Sequence, residues 1–491
     1  MTELPKPAIL HDRAQEWAAL SRFATDDRPG ATLGIVYGRR RQGKTLLLDL
    51  LARQTGGFVF TALPQSSKQN LDRLSRAVAA FTDSADLVFR EWEAAVDALL
   101  RVGERGDRPA LIFIDEFSYL VYAEPALPSF LQIALGPTSR AATRSKARLV
   151  LCGSALSTMR GLLAGPAPLR GRAVLEMMVH PFRFRDAAAF WGLADQPDVA
   201  FRVHALVGGT PAYREMAPWL PTSDRDFDDW VVAGPLGPAS ALFREGAVLL
   251  QEQPELTDTR LYYAVLSAVV RGYTRRSEIA TALGRSDQSL SHPLAVLEST
   301  QLIERVEDPL RKRRPYYRIA EPMLRTHHLL VGPHEADLVG GAGRRVWQEC
   351  ADLVASRIYG PHLEELARQW CHWYADPATL GGRASTVRPA TIACPTHRRS
   401  HELDVVVVER RPYESDVVRA IGEVKSTTGK VDGDQLARLE HLRELLPADR
   451  LAGPPRLLLF SRGGFTKPLQ RTAASRDDVE LVDMRRLYHG S

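Results

Sequence analysis

The chain has 491 residues, 45% of them hydrophobic and 25% charged, with a formal net charge of +5 and a sequence pI near 9.0. That is the composition of a soluble globular protein, and at roughly 100–200 residues per domain it allows two to four domains, each able to bury its own core. No apolar run approaches the ~18 residues that would span a bilayer, the opening MTELPKPAILHDRAQEW lacks the layout of a signal peptide, and Cys152, Cys350, Cys371 and Cys394 form no CxxC pair or disulfide framework; the expectation is a cytoplasmic protein with no membrane contact and a weak electrostatic bias toward a polyanion.

Residues 31–60 read as strand, loop, helix and strand: TLGIVY is apolar, GRRRQGKT is the loop, LLLDLLARQ has helical spacing and GFVFTA is apolar again. Helical spacing continues over 71–101. RPALIFIDE then gives a nearly all-apolar run ending in two carboxylates, and RLVLCGSA at 148–155 gives another ending in small polar residues. Strands apolar on both faces and alternating with helices predict a covered parallel sheet, whose ligands sit at the carboxyl ends of the strands. From 186 to 255 the spacing is helical, broken by Gly208-Gly209-Thr210-Pro211, and VVAGPLGP at 231–238 reads as a connection. Residues 261–320 read as helices followed by a basic hairpin. A Gly-rich break follows over 331–345, and then an α/β unit of helix, strands, helix and strand.

Gly38-Arg39-Arg40-Arg41-Gln42-Gly43-Lys44-Thr45 matches GxxxxGK[ST] in full, after a strand and before a helix, as that phosphate loop requires. Its backbone amides and the helix N-terminus cradle phosphate oxygens; Lys44 reaches the β- and γ-phosphates and the Thr45 hydroxyl is a Mg²⁺ ligand. Asp115, ending the apolar strand LIFID, is expected to hold the same Mg²⁺, and Glu116 to polarise the attacking water. Ser154 either orients that water or satisfies a strand-end turn. Arg170 and Arg172 either stabilise transition-state charge, in cis or from a second copy in a homo-oligomer, or lie on the surface. The cofactors expected are ATP and Mg²⁺.

The blocks GRRRQGKT, IDEF, LCGSALSTM, LRGRA and GGTPAYRE resemble, in this order, the AAA+/STAND ATPases, specifically the archaeal-type ATPase family also found in bacteria. HDRAQEWAAL resembles that family's adenine-side segment, with Asp12 where a Gly usually precedes the Arg. The resemblance covers residues 8–330 and implies that Gly209 and Pro211 sit at the lid or sensor position near the nucleotide.

In the middle module, RRSEIATALG and DQSLSHPLAVLESTQLIERV read as two helices, and EDPLRKRRPYYRI as a β-hairpin wing: a winged helix. On a DNA-binding reading Arg311, Lys312, Arg313, Arg314 and Arg318 contact phosphates of double-stranded DNA, while Gln288, Ser289 and His292 face the major groove; on the other, the module is a lid against the ATPase. Tyr316 and Tyr317 pack the wing on its own core.

The C-terminal module places Glu364 on a helix, Asp404 in the strand LDVVVVE, and Glu423 and Lys425 at the end of VVRAIGEVK. Asp…ExK across neighbouring strands resembles the PD-(D/E)xK nuclease fold, with Gln435 on the following helix. Alternation puts Glu423 and Lys425 on one face; Asp404, Glu423 and Glu364 are the Mg²⁺ ligands expected, and Lys425 orients or activates water. The C-x2-H-x3-H of Cys394, His397 and His401 has metal-ligand spacing and would need a fourth ligand such as Cys371; it reads as a solvated loop.

The expected fold class is therefore α/β multidomain: a P-loop AAA+-like parallel-sheet domain over 1–185, a helical lid over 186–255, a winged helix over 256–330 and a restriction-endonuclease-like α/β domain over 340–491. Two functions follow. One is an ATPase coupled to DNA binding and Mg²⁺-dependent DNA cleavage. The other is an ATP-dependent switch whose nuclease-like domain binds DNA or protein without cutting.

Overall fold

A computed structural model describes residues 3–491 apart from 85, 86, 253–255, 257, 312–314 and 395–397. The chain divides into two compact units, one running through Phe182 and taking in Thr210–Ala212, the other holding most of the rest. No helix among the described residues is long and apolar enough to cross a membrane.

The first unit opens with helix α1 (Ala14–Ala24) and is built on five strands: β1 (Thr32–Tyr37), β2 (Phe58–Thr61), β3 (Ala110–Asp115), β4 (Ala147–Gly153) and β5 (Ala173–Met178). They lie in the order β2-β3-β4-β1-β5, all pairs parallel. Every residue of β4 is buried, as its central place demands. Alternate side chains divide between two layers. Val36, Phe113 and Val150 pack with Trp17, Leu20 and Phe23 of α1 and with Leu47, Leu48 and Leu51 of α2 (Lys44–Thr55). Ile35, Ile112, Ile114 and Leu149 pack against α3 (Ser67–Thr82), α4 (Trp92–Arg101) and α5 (Phe117–Ala123). The chain before β1 is held by Arg148 of β4, fully buried, which donates to the carbonyls of Asp26 at 2.8 Å and Gly30 at 2.6 Å and to that of Arg28.

The second unit begins with helices of 183–252. The segment that follows them has the helices Thr259–Val270, Arg276–Ala282 and Ser291–Ser299, then the antiparallel pair β6 (Ile303–Val306) and β7 (Tyr316–Ile319). Its last part is a mixed sheet of β8 (Thr386–Cys394), β9 (Arg399–Glu409), β10 (Val417–Lys425), β11 (Arg456–Ser461) and β12 (Val479–Asp483), in the order β12-β11-β10-β9-β8. β8, β9 and β10 are antiparallel neighbours, and β10, β11 and β12 are parallel. The helix Gly360–Trp373 covers one face through Leu363, Leu366 and Trp370; the helix Gly433–Glu444 covers the other through Leu436, Leu439 and Leu442.

The Gly-rich stretch over 331–345 is not an open break: it carries the helix Glu335–Val339 and the start of the helix Gly343–Glu349, so its glycines mark a turn between helices. The expected lid, middle module and C-terminal module share one buried core. Polar ties reinforce it. Arg462 forks onto Asp198 at 2.5 and 3.0 Å; burial alone would raise the Asp198 carboxyl, but Arg462 and Arg202 outweigh it and hold it below its ordinary value.

Arg148 gives the first unit a testable dependence. Arg148→Met keeps the stem but leaves three buried carbonyls without their charged donor, so urea denaturation should report a loss of about 3 kcal/mol. Arg101→Ala, which removes an exposed i,i+4 pair with Asp97, should change stability by less than about 0.5 kcal/mol.

Candidate nucleotide site and a second acidic site

The phosphate loop joins β1 to α2. Arg41 and Gly43 have positive φ, at 66° and 83°; at Gly43 a Cβ would meet no protein atom within 4 Å, so that face of the loop is open to a ligand, and glycine takes the conformation without strain. Lys44 is 6% exposed, and its Nζ donates to the Arg39 carbonyl at 2.7 Å. Burial lowers its pKa, with the carboxylates Glu116 and Asp115 acting in the opposite sense. Arg39 and Gln42 are also buried, while Arg40 and Arg41 are half-buried. Arg40 donates to the Tyr119 hydroxyl of α5 at 2.5 Å.

The strand order puts the end of β4 between those of β1 and β3, and the reactive side chains meet there. Thr45 Oγ1 donates to Asp115 Oδ2 at 2.8 Å, while Asp115 Oδ1 accepts the Glu116 amide at 2.9 Å. Glu116 has φ 51°, a left-handed turn that ends the strand. Ser154, just past β4, donates to Glu116 Oε2 at 2.9 Å and approaches Oε1 at 3.3 Å. So Ser154 is a partner of the Glu116 carboxylate. Gly153 before it is required sterically: a Cβ there would lie 2.6 Å from Met159 Sδ and 2.7 Å from Ser118 Oγ.

Pro211 lies in the Thr210–Ala212 segment that joins this unit, and the Ala212 amide donates to the Arg41 carbonyl at 3.4 Å. Arg170 is exposed, donating to the Gly165 carbonyl at 2.9 Å; Arg172 is half-buried where the chain enters β5. Sequence reasoning missed Arg13 as a loop-bracing residue. It is 5% exposed and donates to the carbonyls of Gln42 at 3.2 Å and His180 at 2.6 Å. Asp12 and Arg13 both have positive φ, at 52° and 59°, and Asp is among the few residues that accept that region.

In the second unit Asp404, Glu423 and Lys425 come together as the strand pairing requires, Gly422 standing opposite Val405. Asp404 Oδ2 accepts the Val424 amide at 2.8 Å. Glu423 is 3% exposed; its Oε1 accepts Lys425 Nζ at 2.7 Å and also Arg438 of the helix Gly433–Glu444, while its buried Oε2 has no hydrogen-bond partner. Burial, with Glu364 and Glu423 adding to it, pushes the Asp404 carboxyl up to about 7. Burial also raises Glu364, against Arg368, which stands 3.6 Å away. Buried Gln435 Oε1 is likewise without a partner. Hard carboxylate oxygens, one of them orphaned, fit a divalent cation such as Mg²⁺, although among the described residues no three Asp, Glu, His or Cys groups stand at coordinating distance from one point.

Two expectations are corrected. Arg318 is no phosphate contact: it pairs with Glu304 and, at 2.5 Å, with Glu365 of the helix Gly360–Trp373. Burial opposes its charge, but Glu365 and Glu304 outweigh burial and raise its pKa. Arg388 of β8 reaches Glu304 at 3.6 Å, and Asp308 Oδ2 accepts the Thr391 amide at 2.9 Å, so this face of the hairpin rests on the C-terminal module. Arg311 is half-buried, and Lys312, Arg313 and Arg314 lie outside the described residues. Gln288, Ser289 and His292 are exposed. Tyr316 is buried enough to push its hydroxyl to about 12. The second correction concerns Cys394 and His401: both are buried strand residues, not parts of a solvated loop, because the hairpin seats them against the helix Gly433–Glu444. His397 lies outside the described residues.

No protein-family model matches the sequence, and no curated protein matches it significantly. Among solved structures, a Walker-type ATPase of Pyrococcus abyssi is 18% identical and superposes with a TM-score of 0.50, covering 65% of this chain and 96% of that one. The ORC2 protein of Aeropyrum pernix, in ADPNP–ADP complexes, is 14% identical with a TM-score of 0.42, over 71% of this chain and 98% of that one. The ORC1 protein of the same organism, in complex with DNA, is 15% identical with a TM-score of 0.31, over 68% and 95%. The last two superpose loosely; the first carries the assignment, and what it shows is a fold, that of a Walker-type P-loop ATPase.

Proposed function

We propose that this chain binds ATP with Mg²⁺ and hydrolyses it in its first unit. The observation that carries this reading is the hydrogen-bonded set Thr45–Asp115 and Glu116–Ser154 at the ends of adjacent strands, beside the buried Lys44. In it Lys44 binds the β- and γ-phosphates, Thr45 and Asp115 hold Mg²⁺, and Glu116 takes a proton from the water that attacks the γ-phosphorus as the bond to the bridging oxygen breaks. Ser154 fixes the rotamer of Glu116. Pro211, beside the loop, borders the nucleotide, and Arg172 is the arginine to test for charge stabilisation.

We further propose that hydrolysis is coupled to double-stranded DNA, held in part by the exposed Gln288, Ser289 and His292 of a winged-helix module, and cleaved at the acidic site. There Asp404, Glu423 and Glu364 would hold Mg²⁺, which when bound polarises a phosphodiester or its attacking water; Lys425 orients that water. The orphaned Glu423 Oε2 supports this reading. The alternative, a regulatory switch that binds without cutting, is favoured by one feature: Lys425 and Arg438 both occupy Glu423 Oε1, and a neutralised carboxylate can serve as structure alone.

Three outcomes are expected. In steady-state ATPase assays Lys44→Ala should lose about 100-fold or more in kcat/KM, and Glu116→Gln a similar factor in kcat while still binding ATP; Ser154→Ala should lower kcat about tenfold with little change in KM, and unchanged turnover in all three would reject the site. Plasmid and linear DNA incubated with Mg²⁺ or Mn²⁺, with and without ATP, should be cut by the wild type and not by Glu423→Gln; intact DNA under every condition selects the switch. The third is a pH dependence. Because Asp404 titrates near 7 in the folded chain against about 3.9 unfolded, its contribution to stability is full below about pH 4 and is lost as pH rises through 7. Asp404→Asn should therefore melt a few degrees above wild type at pH 8 and level with it near pH 4, and added Mg²⁺ should close the gap at pH 8 by stabilising wild type alone.

A further inference from the structure

A second group of metal-binding side chains lies outside both sites. In the β8–β9 hairpin Cys394 pairs with Arg399, and Ile392 with His401. Opposed residues of an antiparallel pair share a face, and faces alternate along each strand. Cys394 and His401, two residues on from Arg399, thus lie on the same face. The helix Gly433–Glu444 brings His441 to it. His441 Nε2 stands 3.3 Å from Cys394 Sγ, and its ring lies 6.4 Å from that of His401, centroid to centroid, at 85°. Cys394 is 1% exposed and His401 9%. Two imidazoles and a thiol in one largely buried corner, beside Ile392 and Leu403 of the core, are costly to bury without a partner that uses them together.

We propose that Cys394, His401 and His441 are ligands of a structural Zn²⁺ site that pins the β8–β9 hairpin to the helix Gly433–Glu444. Zn–S bonds of about 2.3 Å and Zn–N bonds of about 2.0–2.1 Å in a tetrahedron put the sulfur and nitrogen about 3.5 Å apart, close to the separation of Cys394 and His441. His401 has the larger distance to close, by turning its ring toward that pair. His397 completes the C-x2-H-x3-H spacing; it lies outside the described residues and is the fourth candidate on sequence grounds alone. Binding releases the thiol proton of Cys394 and takes neutral imidazoles. The same helix carries Arg438, one turn before His441, which pairs with Glu423 and donates to the Glu402 carbonyl at 3.5 Å. The ion would therefore set the axial position of the helix that delivers this guanidinium to the acidic site.

The test is the metal content of the full chain, loaded with Zn²⁺ and dialysed against metal-free buffer, read by inductively coupled plasma mass spectrometry. About one Zn²⁺ per chain is expected, with affinity falling about tenfold or more in Cys394→Ser, His441→Ala and His397→Ala and unchanged in Cys371→Ser and Glu423→Gln. A wild type that retains no zinc, variants at Cys394 and His441 that retain all of it, or loss in Glu423→Gln equal to theirs would each overturn the proposal. Should Cys394→Ser not fold, the Co²⁺-loaded wild type decides: a thiolate-to-cobalt charge-transfer band with tetrahedral ligand-field intensity supports the site, and an octahedral spectrum without that band overturns it.

Discussion

The nucleotide site depends on β4 lying between β1 and β3. The phosphate loop leaves β1 and the acidic pair leaves β3, so a whole strand separates them, and only the loop closing over the end of β4 brings Thr45 to Asp115. That end is packed without slack: Cys152 is fully buried, Gly153 has no room for a Cβ, and Ser154 emerges where Glu116 can accept from it. A bulkier strand end would separate the two halves of the site. Parallel strands buried on both faces give such an arrangement its rigidity, and Arg148, at the other end of the same strand, fixes the chain that leads into β1.

In the second unit the organising force is charge pairing laid over a shared apolar core. Arg462 with Asp198, Arg318 with Glu304 and Glu365, and Arg438 with Glu423 each join segments far apart in sequence. Glu365 shows the balance: burial would raise its carboxyl, yet Arg318 and Arg368 bring it down to about 2. Pairs of this kind add less to net stability than to the uniqueness of one arrangement, since each cation has few places where its desolvation is compensated. The β6–β7 hairpin is fixed in this way to the helix Gly360–Trp373.

How much of this was legible in the sequence follows from the range of each interaction. The phosphate loop, the strand ending in Asp115-Glu116 and the Asp404, Glu423 and Lys425 set could be read because their chemistry imposes local spacing, and alternation alone aligns Glu423 with Lys425. Arg318 could not: five nearby cations look alike in sequence, and only the distant Glu365 distinguishes the one turned inward. Arg13 was hidden for the same reason, its acceptors being carbonyls of Gln42 and His180. The glycines over 331–345 signalled an interruption correctly, but glycine marks helix ends as readily as open linkers. Cys394 and His401 looked solvated because nothing in their own segment reports the helix, nearly forty residues later, that covers them.

Lys44 carries one consequence further. Its ammonium is already out of water and bonded to the loop's own Arg39 carbonyl, so the free energy of stripping its hydration is met by folding rather than by a ligand. A phosphate arriving there exchanges one acceptor for a stronger, charged one, and little of its binding energy goes into arranging the loop. The same economy ties the unit's resistance to unfolding to the nucleotide concentration around it: each tenfold rise in free ligand above its dissociation constant adds about 1.4 kcal/mol to the folded state. The abundance of such a chain would then follow the energy charge of its surroundings, independently of any turnover.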